Sequence, residues 1–195
     1  VMVTVSTSKL PTRAYHHGDL RSALVEAGLK ALETQAIGDL SLRQLAREVG
    51  VSATAVYRHF PDKQALLGAL AKAGMEQLGK AQQAAAAMTT PEDMFAATGR
   101  AYVRWALANP ALFRLAFGQC RDAGEAVFGD NLAAAMLRGH ATAFTADEAD
   151  ARRLMIQAWS VVHGLAMLML DGQLPHDDAL IDRVIDPGKL FALTG

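Results

Sequence analysis

The chain has 195 residues, just over half of them apolar, with 19 Lys and Arg against 20 Asp and Glu. That length and apolar content support one large domain, or a small one joined to a larger one, and the ordinary charge content excludes general disorder. A single cysteine excludes an intramolecular disulfide, no basic-then-apolar leader opens the sequence, and the apolar run 165–170 is far too short to span a bilayer, so a soluble cytoplasmic protein with no membrane partner is expected.

The near-zero total charge hides an asymmetry. Residues 1–80 carry 10 Lys and Arg against 7 Asp and Glu, a net of +3, while residues 81–195 carry 9 against 13, a net of −4. A basic front on an acidic body suggests that the front meets an anion.

Residues 1–13 read as a flexible arm. Beyond them every apolar stripe has the helical period, as in Leu20, Leu24, Ala27, Ala31 and again in Leu42, Leu45, Ala46, Val49. No alternating run of β-branched residues lies between turn signals, so an all-α fold with no strands is expected. Start and stop signals predict about nine helices, at 19–34, 41–48, 52–59, 62–86, 91–108, 110–117, 122–144, 146–171 and 177–185. Ser41 with Gln44, and Thr145 with Glu148, have capping-box spacing. Thr90-Pro91-Glu92-Asp93 sets a cap, a first-turn proline and two acids, and Asn109-Pro110 ends one helix and starts another. There is no internal repeat.

The stretch 40–67, LSLRQLAREVGVSATAVYRHFPDKQALL, is the most informative. A two-turn helix with an inner face of Leu42, Leu45, Ala46 and Val49 is followed by Gly50, which tolerates a left-handed helix end. Ser52 caps the next helix, which turns Ala55, Val56 and Phe60 inward and Ala53, Thr54, Tyr57 and Arg58 outward. This is helix-turn-helix spacing, in which the second helix enters the major groove with its N-terminal residues on base edges. The small Ala53 and Thr54 suit close backbone approach to the bases. Tyr57 and His59 can donate to phosphate oxygens, and Lys63 points toward the same strand; such contacts set register and most of the affinity. Arg43 reaches a guanine edge or a phosphate. The bland alternative is a helical hairpin with a solvated charged face.

With the preceding helix around ALVEAGLKAL, these residues closely resemble the DNA-binding domain of TetR-type transcriptional regulators. The match runs over residues 19–67 and rests on Arg43, Leu45-Ala46, Gly50-Val51-Ser52, Tyr57, His59-Phe60, Lys63 and Leu66. The resemblance implies a helical homodimer, usually a repressor of a palindromic double-stranded DNA operator, with a three-helix reader and a variable body that binds an inducer. It implies that Arg43 and the start of the recognition helix read bases, and that Ser41, Tyr57, His59 and Lys63 hold phosphates. Many members carry lysine and glycine where this chain has Ala53 and Thr54, so the resemblance gives no operator sequence. ANPALFRLAFG at 108–118 and WSVVHGLAMLMLDG at 159–172 resemble the C-terminal domain of a subgroup named for its Trp, His and Gly, here Trp159, His163 and Gly164. The expected domains are the arm at 1–13, a DNA-binding domain at 14–62 and a ligand-binding and dimerisation domain at 63–195.

Other constellations carry less. Trp159 and His163 share a helical face and can form a pocket wall, a satisfied core pair or part of a dimer seam. His16-His17 lacks ligand partners at useful spacing, so no metal is expected; with Lys9, Arg13 and Tyr15 these residues can line the DNA backbone or a minor groove. Cys120 reads as a buried thiol rather than a redox sensor. No G-x-S-x-G, P-loop, dinucleotide glycine pattern or H-E-x-x-H is present, so no enzyme and no cofactor is expected; the remote alternative is an all-α enzyme or lipid carrier.

Two features of the body shape the remaining expectations. Helix 146–171 is apolar around its circumference, which predicts a two-fold seam through Val162, Leu165, Leu168 and Met169, helped by the short helix near 177–185. Phe95, Tyr102, Trp105, Phe113, Phe117, Met155, Trp159 and His163 suggest an apolar cavity, and with no cluster of counter-charges a small hydrophobic effector is expected. Its binding would release the operator; an activator, or a regulator that needs no ligand, is the alternative.

Overall fold

The computed structural model of the chain describes residues 17–118 and 129–186. Among the described residues all regular structure is helical: α1 His17–Leu32, a 3-10 turn Ile37–Asp39, α2 Leu42–Val49, α3 Ala53–His59, α4 Lys63–Ala87, α5 Met94–Ala108, α6 Pro110–Gly118, α7 Leu132–Phe144, α8 Glu148–Leu170 and α9 Asp178–Val184. The arm, Tyr15, His16 and Cys120 lie outside the described residues.

Several boundaries move for identifiable reasons. Ser41 stands at the start of α2 but makes no side-chain cap bond, and the Gln44 amide donates to Glu48 at 2.9 Å. Residues 91–93 form a turn, so α5 starts at Met94 rather than at Pro91. Asn131, whose side chain accepts from Ala134 N–H at 2.9 Å, starts α7, and 129–131 are not helical as expected. Thr145 ends α7, and Asp147 caps α8 by accepting from Asp150 N–H at 2.8 Å. A carboxylate at that position also meets the positive end of the α8 dipole.

α1, α2 and α3 pack around Leu24, Leu45, Val56 and Phe60, all of them essentially inaccessible. The Arg21 guanidinium lies 5.1 Å from the centroid of the Phe60 ring, a cation–π contact that closes this small head. α4 leaves the head and runs into the body, where it packs on α5, α6 and α7. Two glycines let it approach closely. A Cβ at Gly79 would meet Leu132 Cβ at 2.7 Å, and one at Gly74 would meet Leu112 at 3.0 Å. α9 is held on α5, where Arg104 donates to Asp178 and Asp182 at 2.8 Å each and Ile181 is buried in the main core. The short helix therefore turns Ile181 into its own chain and leaves Leu180 and Val184 half-buried.

By length and composition alone, α8 is apolar enough to cross a membrane. Its apolarity serves two faces instead: Met155, Ala158, Leu165, Ala166 and Met169 are buried, while Ile156 and Leu168 are 44% and 40% exposed.

Candidate functional site

The head is shaped by the end of α2. Val51 N–H donates to Ala46 O at 2.9 Å and Gly50 N–H to Arg47 O at 3.2 Å, with Gly50 at φ 77°, a left-handed helix termination that needs glycine. The chain leaves this turn at Ser52, whose hydroxyl accepts Ala55 N–H at 3.2 Å and starts α3. Val56 and Phe60 then point into the head, and Ala53, Thr54, Tyr57 and Arg58 are exposed on the other side. Arg43 and Arg47 are exposed on α2, Ser41 and His59 are half-buried, and Arg43, Arg47 and Arg58 form no ion pair among the described residues. Unpaired cations on two consecutive helices give this face a positive field. Lys63, expected to hold a phosphate, also has a partner within the chain. Its ammonium donates to Gly38 O at 2.6 Å, which ties α4 to the 3-10 turn and leaves two N–H groups for a phosphate.

The body contains a cavity bounded by Leu78 and Gln82 of α4, Phe95, Thr98 and Tyr102 of α5, Phe117 of α6, His140 of α7, and Trp159 and Val162 of α8. No Lys, Arg, Asp or Glu among the described residues lines it. Its free volume is ≈ 60 Å³, far below the ~300 Å³ at which sites for drug-sized ligands begin. Among the described residues the expected apolar cavity is therefore present but small.

Four of the eight residues expected to form the cavity do line it: Phe95, Tyr102, Phe117 and Trp159. Trp105 and Phe113 are buried in the main core, and Met155 lies in a smaller cluster with Ala141 and Ala151. His163 stands one layer behind the wall. Its ring is 4.8 Å from Trp159, 5.0 Å from Phe117 and 5.3 Å from Phe113, and its Nδ1 is 2.8 Å from the Tyr102 hydroxyl. Helical spacing showed that Trp159 and His163 share a face, but not which of them reaches the open space. Gln82, Thr98 and His140 were missed as wall residues. The available signal was Gln82 itself, a polar residue in the stripe of Met75 and Leu78.

Burial pushes the pKa values of His163 and His140 below the ordinary histidine range. The unfolded chain therefore takes up these protons first as pH falls, and their contribution to stability is full above the unfolded value of ~6.5 and lost as pH drops toward the folded values. Melting temperature is expected to fall between pH 7.5 and 5.5, and by less in His163→Gln. An equal fall in both proteins would rule out the buried imidazole as a cause.

The seam residues also divide. Leu165 and Met169 are 5% and 0% exposed in the core, Val162 is half-buried and lines the cavity, and Leu168 is exposed. A strip of α8 at steps of four residues holds the exposed Ile156, Ser160 and Leu168 and the half-buried Gly164, on which a Cβ would meet nothing within 4 Å.

Comparison with known proteins agrees with this architecture. Residues 24–70 match the family of bacterial regulatory proteins of tetR type, and residues 95–187 match the tetracyclin repressor-like C-terminal domain. The chain belongs to the TetR family. Both matched segments of this TetR-type chain are domains of transcriptional regulators. The chain is 30% identical over 116 residues to an HTH-type transcriptional regulator of Mycobacterium tuberculosis, a match covering 57% of this chain and 49% of the relative. The chain thus spans about half the length of the curated relatives it matches. A solved protein of unknown function from Rhodococcus sp. RHA1 superposes with a TM-score of 0.73 at 35% identity, covering 89% of this regulator and 93% of that chain. A tetR-family transcriptional regulator from Streptomyces coelicolor shares the fold at a TM-score of 0.62 and 18% identity, over 85% of this chain and 76% of its own.

Proposed function

We propose that this TetR-type regulator is a cytoplasmic homodimeric repressor that leaves a palindromic operator when a small hydrophobic molecule occupies the body cavity. The division proposed is an arm at 1–13, a DNA-binding head at 14–62 and a ligand-binding and dimerisation body from 63. The observation that carries the reading is the course of α4. This helix starts at Lys63, beside the reading helix, and reaches the cavity wall at Met75, Leu78 and Gln82. At ~1.5 Å per residue it links the two across about 28 Å as one rigid element. A ligand acts on DNA only by preferring one arrangement of the two heads, and α4 is the element whose tilt both sites feel. The test is to select bound fragments from genomic DNA, then measure their release by uncharged aromatic and acyl compounds in gel shifts. Release only by polyanionic metabolites would overturn the effector class.

DNA contacts have separable signatures. Tyr57→Phe and Lys63→Ala are expected to weaken operator and random DNA about equally, and Lys63→Ala to flatten the salt dependence by roughly one unit of slope. Because Lys63 also holds Gly38, its melting temperature is measured alongside. Arg43→Ala is expected to reduce preference for the operator by ~1–3 kcal/mol. Unchanged operator binding in all three folded variants would reject this interface.

The small free volume favours one alternative, a regulator that acts without a ligand. A screen in which no uncharged compound raises the melting temperature or releases the operator would select it.

A further inference from the structure

Two residues of the cavity wall each carry a buried polar atom with no protein partner, Gln82 Oε1 and Trp159 Nε1. A buried polar atom in that position is normally met by water or a ligand. The Gln82 amide has a defined orientation, since its Nε2 donates to Thr98 O at 3.2 Å. That leaves Oε1 as an acceptor, while the indole N–H of Trp159 is a donor only. The other wall hydroxyls are engaged. Thr98 donates to Phe95 O at 2.8 Å, and Tyr102 is paired with His163.

The two unpartnered atoms stand on different helices, Gln82 on α4 and Trp159 on α8. A ligand that bonds to both therefore bridges the helix leading to the DNA-reading head and the helix with the exposed Ile156 and Leu168. Apart from Thr98, Tyr102 and His140, the rest of the wall is apolar, and no Lys, Arg, Asp or Glu among the described residues lines it. An ionic ligand would lose its hydration there without compensation. The ≈ 60 Å³ of free volume holds only a few waters at ~10–15 Å³ each, so the occupant is compact. Met75 and Met136 are the wall side chains best able to yield to a ring.

We propose that the effector is an uncharged, single-ring-sized apolar molecule with one hydrogen-bond donor for Gln82 Oε1 and one acceptor for Trp159 Nε1, the complement offered by a carboxamide or its chemical equivalent. This rests on the reading of the cavity as an effector site.

Four probes of one ring size separate the interactions when titrated calorimetrically into the full chain: benzamide offers donor and acceptor, acetophenone the acceptor alone, toluene neither, and benzoate a charge. Benzamide is expected to bind about tenfold or more tighter than toluene, with acetophenone between them and benzoate not binding. Gln82→Met is expected to bring benzamide down to acetophenone and leave acetophenone and toluene unchanged. Trp159→Phe is expected to bring acetophenone down to toluene and to weaken benzamide, which keeps its bond to Gln82 and stays above toluene. Retained toluene binding shows that each variant is folded. Equal binding of benzamide and toluene, benzamide binding indifferent to both variants, or no saturable binding of any probe would overturn the proposal. Binding as expected without operator release would sink the repressor switch and leave the site standing. Operator release by compounds indifferent to Gln82 and Trp159 would do the reverse.

Discussion

Leu168→Glu, and independently Gly164→Glu, is expected to give a folded monomer whose operator binding falls to the non-specific level, a loss of at least ~10³. Ile156 and Leu168 are exposed apolar residues of α8, with exposed Ser160 and half-buried Gly164 between them and nothing within 4 Å of a Cβ on Gly164. Ridges at steps of four residues are those that interdigitate when two helices cross at about −50°. A carboxylate placed there would be desolvated against its own symmetry copy, which disfavours association strongly and folding little. Losing the partner removes one of two half-site readers, and with it most of the specificity. Leu165→Glu serves as the contrast. At 5% exposure it puts the charge into the core and is expected to unfold the body rather than dissociate it. Sedimentation and gel shifts read both results. A wild-type monomer at micromolar concentration, or a Leu168→Glu dimer with full operator affinity, would place the seam elsewhere.

Phe113→Ala is expected to lower stability by ~3–5 kcal/mol, a fall in melting temperature of roughly 6–20 °C. The ring is fully buried and lies 4.8 Å from Phe117, 5.8 Å from Tyr102 and 6.4 Å from Trp105, so its removal leaves a void bounded by rigid aromatic neighbours. Phe144→Ala, at 73% exposure, is expected to change stability by no more than ~0.5 kcal/mol. The pair distinguishes an aromatic core from an aromatic pocket wall. Similar small losses in both would return Phe113 to the wall.

The head was legible because its signals are local. Gly50 in the left-handed region, Ser52 as a cap and the inward Val56 and Phe60 are dictated by neighbours within a few residues. The helices of the body were legible for the same reason. Which neighbour each face meets was not. Leu165 and Met169 have the spacing of a seam as much as of a core, and only the packing of α8 on α5 and α7 puts them inside. Trp105, Phe113 and Met155 are equally ambiguous: an aromatic or thioether position marks a large buried area, not an empty space beside it. The bond from Lys63 to Gly38 is not legible in the sequence, because the carbonyl lies 25 residues away. Thr145 lost the cap to Asp147 for a smaller reason. Both can accept, and the chain bends so that the carboxylate is the one at the helix entrance.

Trp159 and Ser160 are consecutive, yet one faces the cavity and the other the exposed strip. In a dimer joined through that strip, one rigid helix would carry both the effector contact and the subunit contact. The two equilibria are then linked variables. If the effector shifts α8, the same free energy that alters subunit affinity must appear in effector affinity, with the sign fixed by reciprocity. Apparent effector affinity would then depend on protein concentration, changing across the range where dimers dissociate. A dose–response curve measured on dilute protein in a gel shift and one measured on concentrated protein in a calorimeter would be offset along the ligand axis. The size of that offset would measure how strongly one helix transmits between its two faces.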